Sequence, residues 1–111
     1  MKLAIVGSRN LTDIELDPYI PEDVSEIVSG GAVGIDTLAR DYALRKGVKL
    51  TEFLPQYERY GRAAPIKRNA EIAAYADEVL AIWDGKSKGT ASTIHFFQKL
   101  GKKTTVIIDK L

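Results

Sequence analysis

The segment EIVSGGAVGIDTLARDYALRKG, residues 26–47, contains the pattern that decides the fold. A short apolar run leads into a turn with glycines at positions 30, 31 and 34. The residues after the turn recur at helical spacing on one stripe: Ile35, Leu38, Ala39, Tyr42 and Ala43. Gly47 follows this stripe, and glycine is the usual residue just past the end of a helix. The order of strand, glycine turn and helix predicts a β-α-β unit.

Four further apolar runs have the length of buried strands. They are KLAIVG at 2–7, VKLTEFL at 48–54, EVLAIWD at 78–84 and KTTVIID at 103–109. Helical patterns begin near Pro65, with Ile66, Ala70, Ala73 and Ala74 on one face, and near Thr90. Strands that alternate with helices require parallel pairing. We therefore predict an α/β fold over residues 1–111 as a single domain, with a Rossmann-like, open, doubly wound parallel sheet of five strands and helices on both faces. If the strands follow the Rossmann-like order 3-2-1-4-5, this order reverses between the first and fourth strands.

The composition is that of an ordinary globular chain. Of the 111 residues, 45% are hydrophobic and 28% are charged, and the formal net charge is only +1. This charge gives no global reason to bind nucleic acid. No cysteine is present and His95 is the only histidine, so we expect neither a disulfide framework nor a metal site. The first residues lack a signal-peptide core, and we expect a cytoplasmic protein without membrane contact or cofactor.

Ligands of open α/β sheets bind beside the carboxyl ends of the strands, at the point where the strand order reverses. Three predicted strand tails meet there: GSRN at 7–10, SGGAVGID at 29–36 and WDGKSKGT at 83–90. Two residues of the helix after Pro65 can face the same crevice. The predicted ligand contacts are Gly7, Ser8, Arg9, Ser29, Gly30, Gly31, Gly34, Asp36, Arg68, Asn69, Asp84, Gly85, Ser87, Gly89 and Thr90.

The glycine turns have two interpretations. They can simply connect a strand to a helix, or their backbone amides can hold a phosphate at the positive end of the helix dipole. Asp36 would repel a phosphate, so it is either a first-turn acid that stabilises the helix or an acceptor for ribose hydroxyls. Arg9 is suited to bind phosphate or carboxylate. We place the phosphate on the turn around Gly89 and Thr90, and the ribose at Asp36.

Residues 57–68 form a predicted loop that combines tyrosines with basic residues, which can stack a base and neutralise phosphates, or form a polar lid or a dimer surface. Lys86 and Lys88 are phosphate ligands or ordinary loop lysines. Trp83 is expected in the core or in the pocket wall, and His95 is expected to be structural.

The order and spacing of SGGAVGIDTLARDYALRKG and RNAEIAAYADEVLAIWDGKSKGT resemble those of the SLOG superfamily. The whole layout, with GSR near the start and YGRAAPIKRN in the middle, is similar to its small YspA-like members. This resemblance implies a Rossmann-like fold and a nucleotide-derived ligand, and it is compatible with a homodimer. No catalytic residue is assigned.

Two related families imply different functions. SG-x-A-x-GID and the downstream RN resemble the DNA-processing protein A family, which implies binding of single-stranded DNA. GT at 89–90 resembles the LOG family of phosphoribohydrolases, which implies cleavage of an N-glycosidic bond and a site role for Arg68. The LOG glutamate position is Thr93 here, and threonine is not a general acid or base. We therefore predict nucleotide binding first, with hydrolysis and single-strand binding as alternatives.

Overall fold

The computed structural model describes residues 1–11 and 13–109. The strands are β1 (Lys2–Gly7), β2 (Glu26–Ser29), β3 (Lys49–Glu52), β4 (Glu78–Trp83) and β5 (Lys103–Ile108). The helices are α1 (Ile35–Lys46), α2 (Tyr57–Tyr60), α3 (Ala64–Tyr75) and α4 (Lys88–Lys99), and short 3-10 turns lie at Asp17–Tyr19 and Gly61–Ala63. All five strands are parallel and follow the order β3-β2-β1-β4-β5, which confirms the predicted α/β topology.

Alternate residues of each central strand enter different halves of the core, because side chains alternate across a sheet. Leu3 and Ile5 of β1 pack in a cluster with Ala39 and Ala43 of α1. The residues between them point to the other face, where Ala4 packs in a cluster with residues of α3 and α4. Helices therefore cover both faces of the sheet, as predicted.

Helix α1 begins and ends where the sequence predicted. Gly47 has a φ of +67°, and its amide donates to the carbonyl groups of Ala43 and Leu44. This left-handed conformation is inexpensive for glycine, and it terminates the helix next to β3.

Two details of the prediction were wrong. The segment after Tyr57 is not a loop but contains α2 and a 3-10 turn, and it runs directly into α3. Ile66 does not face the core, since 55% of it is exposed. The buried residues of α3 are Ala64, Asn69, Ile72 and Ala73, so the inward face of this helix is rotated from the predicted one and includes a polar side chain.

Candidate functional site

A cavity of about 600 Å³ lies at the carboxyl ends of β1, β2 and β4. Its position follows from the topology, since the strand order reverses between β1 and β4. The predicted contact residues that line it are Gly7, Ser8, Arg9, Gly30, Gly31, Asp36, Arg68, Asn69, Asp84, Ser87, Gly89 and Thr90. The remaining predicted residues, Ser29, Gly34 and Gly85, belong to the same turns but are not part of the lining.

In the turn after β2, two backbone amides donate hydrogen bonds to nearby side chains of the same chain segment. The Gly31 amide donates to Ser29 Oγ at 3.3 Å, and the Ala32 amide donates to Asp36 Oδ2 at 3.1 Å. Gly31 has a φ of +70°, which a residue with a side chain adopts only with strain. These two amides already have acceptors inside the chain, and the Asp36 carboxyl group beside them would repel a phosphate, so this turn is a poor phosphate cradle.

Asp36 lies in the first turn of α1 and is only 8% exposed. Burial raises the pKa of Asp36 above its ordinary value, because the charged form is poorly solvated there. The hydrogen bond from Ala32 and the positive charge of Arg68 act in the opposite direction but do not outweigh burial. The carboxyl group therefore serves the fold as an acceptor for its own turn, and it also lines the cavity.

Close packing by itself requires glycine at two of the predicted positions. A Cβ atom on Gly7 would lie 2.4 Å from Ile35 Cγ1, at the place where α1 starts beside β1. A Cβ atom on Gly34 would lie 2.6 Å from the carbonyl oxygen of Arg9, and Gly34 also has a φ of +79°. Because both positions lack a Cβ atom, the start of α1 can lie directly against the tail of β1. The side chain of Arg9 is exposed at the cavity and has no hydrogen bond to another described residue.

Ser8 and Asp84 connect the tails of the two central strands. The Asp84 amide donates to Ser8 Oγ at 3.1 Å. The Asp84 carboxylate accepts hydrogen bonds from the amides of Lys86 and Ser87, each at 2.8 Å, and from the Ser87 hydroxyl at 3.1 Å. Chiefly the two backbone hydrogen bonds lower the pKa of Asp84 to about 2. Asp84 is therefore an ionised acceptor that orders the turn before α4.

The first turn of α4 contains no acidic residue, whereas that of α1 contains Asp36. The amides of Lys88, Gly89 and Thr90 donate to no acceptor among residues 1–11 and 13–109. Thr90 is 5% exposed and lines the cavity, and its hydroxyl group makes no hydrogen bond within the same residues. These amides are the unpaired donors at the start of a twelve-residue helix. The positive end of a helix dipole and the hydroxyl group of a largely buried threonine thus meet at one wall of the cavity.

Arg68 and Asn69 make contacts inside the chain. Arg68 Nη1 donates to the Gly30 carbonyl oxygen at 2.9 Å, and Arg68 Nε donates to Asn69 Oδ1 at 2.9 Å. Thr93, at the position of the LOG glutamate, donates its hydroxyl to the Gly89 carbonyl oxygen at 3.2 Å and provides no carboxylate.

The tail of β3 contributes a wall that the sequence prediction missed. Leu54 and Pro55 line the cavity together with Pro65 and with Tyr57, which is 60% exposed. Only the tails of β1, β2 and β4 were expected there, since β3 is an edge strand. The signal that was present is the Leu-Pro pair at 54–55, which is separated from the end of this strand by one residue. The result is an apolar and aromatic surface beside the turn after β2, where Leu54 is the neighbour of Gly31.

The cavity lining does not include Trp83, His95 or Tyr60. Trp83 packs against the core cluster that contains α3 and α4, and its Nε1 donates to the Ser87 carbonyl oxygen at 3.0 Å. His95 is exposed on α4. Tyr60 is also outside the lining, and the cationic groups of Arg59 and Lys67 lie 5.1 and 5.8 Å from its ring centre.

Two features are absent from the part of the chain that the structure describes. No group of three or more histidine, cysteine, aspartate or glutamate residues is arranged to hold a metal ion among residues 1–11 and 13–109. Over the same ranges, no helix has the length and apolar character needed to cross a membrane.

The topology and the position of the cavity define a Rossmann-like α/β protein with a candidate ligand site at the strand ends. Residues 1–56 match the family model of DNA recombination-mediator protein A, and the chain belongs to this family. The matched region covers β1, β2, α1 and β3 but ends before α3 and α4. Neither the curated proteins nor the solved structures contain a match to this chain. Membership of the SLOG superfamily, in its YspA-like or LOG branches, stays a prediction.

Proposed function

We propose that the protein binds a nucleotide or a nucleotide-like small molecule in the cavity. The observation that carries this proposal is the contrast between the two glycine turns. The first turn of α4 presents three amides without an acceptor among the described residues, together with the hydroxyl of Thr90, and it contains no acidic residue. The other turn has its Gly31 and Ala32 amides occupied and carries the Asp36 carboxyl group, which would repel a phosphate. A phosphate therefore has one favourable position, at α4.

The rest of the ligand follows from the remaining walls. Arg9 projects at the cavity and supplies a positive charge for the phosphate. Asp36, near the other turn, accepts hydrogen bonds from ribose hydroxyls. Leu54 and Tyr57 provide an apolar and aromatic surface for the base, whose ring stacks on such side chains. Each part of a nucleotide thus meets a group of matching chemistry.

A thermal-unfolding screen with nucleoside 5′-monophosphates tests this proposal. A ligand present at 100 times its Kd raises the free energy of unfolding by about 2.7 kcal/mol, or roughly 10 °C in Tm for a chain of this size. We expect a shift for at least one nucleotide that is strongly reduced in Arg9→Ala and Thr90→Ala. Lys99→Ala, an exposed position at the far end of α4, is the matched control. A full panel without any shift would contradict nucleotide binding.

A second candidate function is binding of single-stranded DNA, which the family membership favours. The exposed residues Arg59, Arg62 and Lys67 lie in the segment that also carries Tyr57. If these three cations contact phosphates, log Kd changes with log salt with a slope of magnitude about 2. Anisotropy titrations of a labelled oligothymidine over a range of salt concentrations measure this slope, and Arg62→Ala should lower it. Absence of binding at low salt would eliminate this candidate.

A further inference from the structure

Two consecutive residues of α3 connect the opposite sides of the cavity. Arg68 Nη1 donates to the Gly30 carbonyl oxygen at 2.9 Å, in the turn after β2. Arg68 Nε donates to Asn69 Oδ1 at 2.9 Å, and Asn69 Nδ2 donates to the Gly89 carbonyl oxygen at 3.4 Å, in the first turn of α4. These three hydrogen bonds form a continuous connection, here named the α3 bridge, between the two glycine turns.

The α3 bridge is closely packed at both ends. Asn69 is only 6% exposed, and a Cβ atom on Gly30 would lie 2.4 Å from Arg68 Nη1. The Gly89 carbonyl oxygen accepts a second hydrogen bond, from Thr93 Oγ1 at 3.2 Å. Neither turn can therefore shift relative to the other without breaking a hydrogen bond or moving a packed side chain. Close packing of this kind fixes a separation between elements.

The hydrogen bonds also limit what Arg68 can do for a ligand. Its Nη1 and Nε donate inside the chain, and Nη1 also lies 3.5 Å from the Phe53 carbonyl oxygen. The guanidinium group is thus held at the turn after β2, beside the Asp36 carboxyl group. Its positive charge acts to lower the pKa of Asp36, but burial outweighs this effect. A phosphate contact through Nη1 or Nε would require these bonds to break, which leaves only Nη2 for a ligand.

We infer that Arg68 and Asn69 are positioning residues, which hold the sugar-binding and phosphate-binding sides of the cavity at a fixed separation. This role rests on the proposed nucleotide binding. A ligand that spans both sides binds more tightly when their separation is fixed, since its second contact forms without a further loss of conformational freedom of the protein. A nucleoside or a free phosphate ion, which occupies one side only, does not depend on the separation. The α3 bridge therefore favours the intact nucleotide over its fragments.

The test compares an intact ligand with its fragments. The affinities of the four ribonucleoside 5′-monophosphates, the matching nucleosides and inorganic phosphate are measured by NMR titration for the unsubstituted protein and for Asn69→Ala. We expect Asn69→Ala to lower the affinity for the tightest nucleotide about 10-fold, which is a usual size for coupling between sites. The affinities for the nucleoside and for phosphate should change less than about 2-fold, well below that coupling.

Two further variants separate positioning from folding. Arg68→Lys retains the charge but loses the paired donors of the α3 bridge, and we expect the same selective loss for the nucleotide. Glu71→Ala, an exposed position on the same helix, should leave all affinities unchanged. Hydrogen exchange without ligand provides an independent readout. In Asn69→Ala, the amides of Ala32 and Ala91, which report on the two turns, should exchange faster together.

Each outcome has a distinct meaning. Equal weakening of the nucleotide and its fragments would overturn the positioning role but leave nucleotide binding intact. Unchanged exchange at either turn in Asn69→Ala would also overturn it, whatever the affinities. If the unsubstituted protein binds none of the nucleotides, the proposed function is wrong and the positioning role is overturned with it.

Discussion

The hydroxyl group of Tyr75 donates a hydrogen bond of 2.5 Å to Glu26 Oε2, at the end of the sheet opposite the cavity. The same carboxylate oxygen accepts a hydrogen bond from Thr51 Oγ1 at 2.7 Å, and Lys49 Nζ lies 3.7 Å from Glu26 Oε1. Burial by itself raises the pKa of Glu26, but these hydrogen bonds and the nearby lysines together lower it below its ordinary value. The carboxylate is therefore favoured in the folded protein.

Glu26→Gln should reduce stability at pH 7 by about 1–2 kcal/mol, because it removes hydrogen bonds to a charged group. A carboxyl group whose pKa is lowered by folding contributes stability above its unfolded pKa, and this contribution is lost as the pH falls through the folded pKa. The unsubstituted protein should thus lose stability below the ordinary value of 4.5, and Glu26→Gln should lose less. Urea unfolding at pH 7, 5 and 3 measures the difference, and parallel pH profiles would contradict this interpretation.

Lys102 stabilises the end of α3. Its Nζ donates to the carbonyl oxygens of Ala73, Ala74 and Ala76 at 2.7, 3.1 and 2.8 Å. These groups lie where a helix leaves carbonyls unpaired and where its dipole is negative. Lys102→Met should retain most of the packing and lower the free energy of unfolding by about 1–3 kcal/mol. Lys103→Met, at the exposed neighbouring position, is the control. Equal effects of the two substitutions would show that the hydrogen bonds of the Lys102 ammonium group do not stabilise α3.

Two glycines of the candidate site should respond oppositely to alanine. Gly7→Ala places a Cβ atom 2.4 Å from Ile35 Cγ1 and 2.5 Å from the Ile82 carbonyl oxygen, and such overpacking costs about 1–3 kcal/mol. Gly89 lies inside α4 with no atom within 4 Å of an added Cβ, so Gly89→Ala should raise stability by about 0.4–1 kcal/mol. Thermal unfolding of both variants measures these changes. Destabilisation by Gly89→Ala would show a constraint at α4 beyond its packing.

The fold could be predicted because its signals are periodic and local. The apolar runs and the glycine after α1 depend only on neighbouring residues, and parallel pairing follows from the alternation of strands and helices. The face of α3 was mispredicted because an alanine-rich helix has a weak apolar stripe. Asn69 is buried on that helix and Ile66 is exposed, so tertiary contacts rather than hydrophobicity determine its rotation.

The location of the candidate site was also predictable, since the strand order alone brings the tails of β1, β2 and β4 together. The partners of its polar groups were not. The sequence distinguishes the two glycine turns only by the charge of Asp36, and it cannot indicate that Ser29 and Asp36 accept hydrogen bonds from two amides of one of them. Arg68 likewise resembles a free phosphate ligand until its contact with the Gly30 carbonyl oxygen is known. Such hydrogen bonds depend on distances that a one-dimensional pattern does not contain.

Asp36→Asn should separate stability from ligand binding. Because burial raises the pKa of Asp36, its ionised form opposes folding at pH 7, and this cost disappears as the pH falls through the folded pKa. Asparagine retains an oxygen acceptor for the Ala32 amide but carries no charge. The variant should therefore be more stable than the unsubstituted protein at pH 7, with a smaller gain in stability on acidification.

The same substitution should weaken the binding of a ribonucleotide about 10-fold, since hydrogen bonds to a charged acceptor are stronger than those to a neutral one. It should also reduce the preference for a ribonucleotide over the matching 2′-deoxyribonucleotide, because in the proposed binding mode the charged acceptor that is lost is the one for the sugar hydroxyls. Asp41→Asn, at an exposed position of α1, is the control for both measurements. A more stable Asp36→Asn variant with unchanged sugar preference would restrict Asp36 to its contact with Ala32 and would place the ribose elsewhere in the cavity.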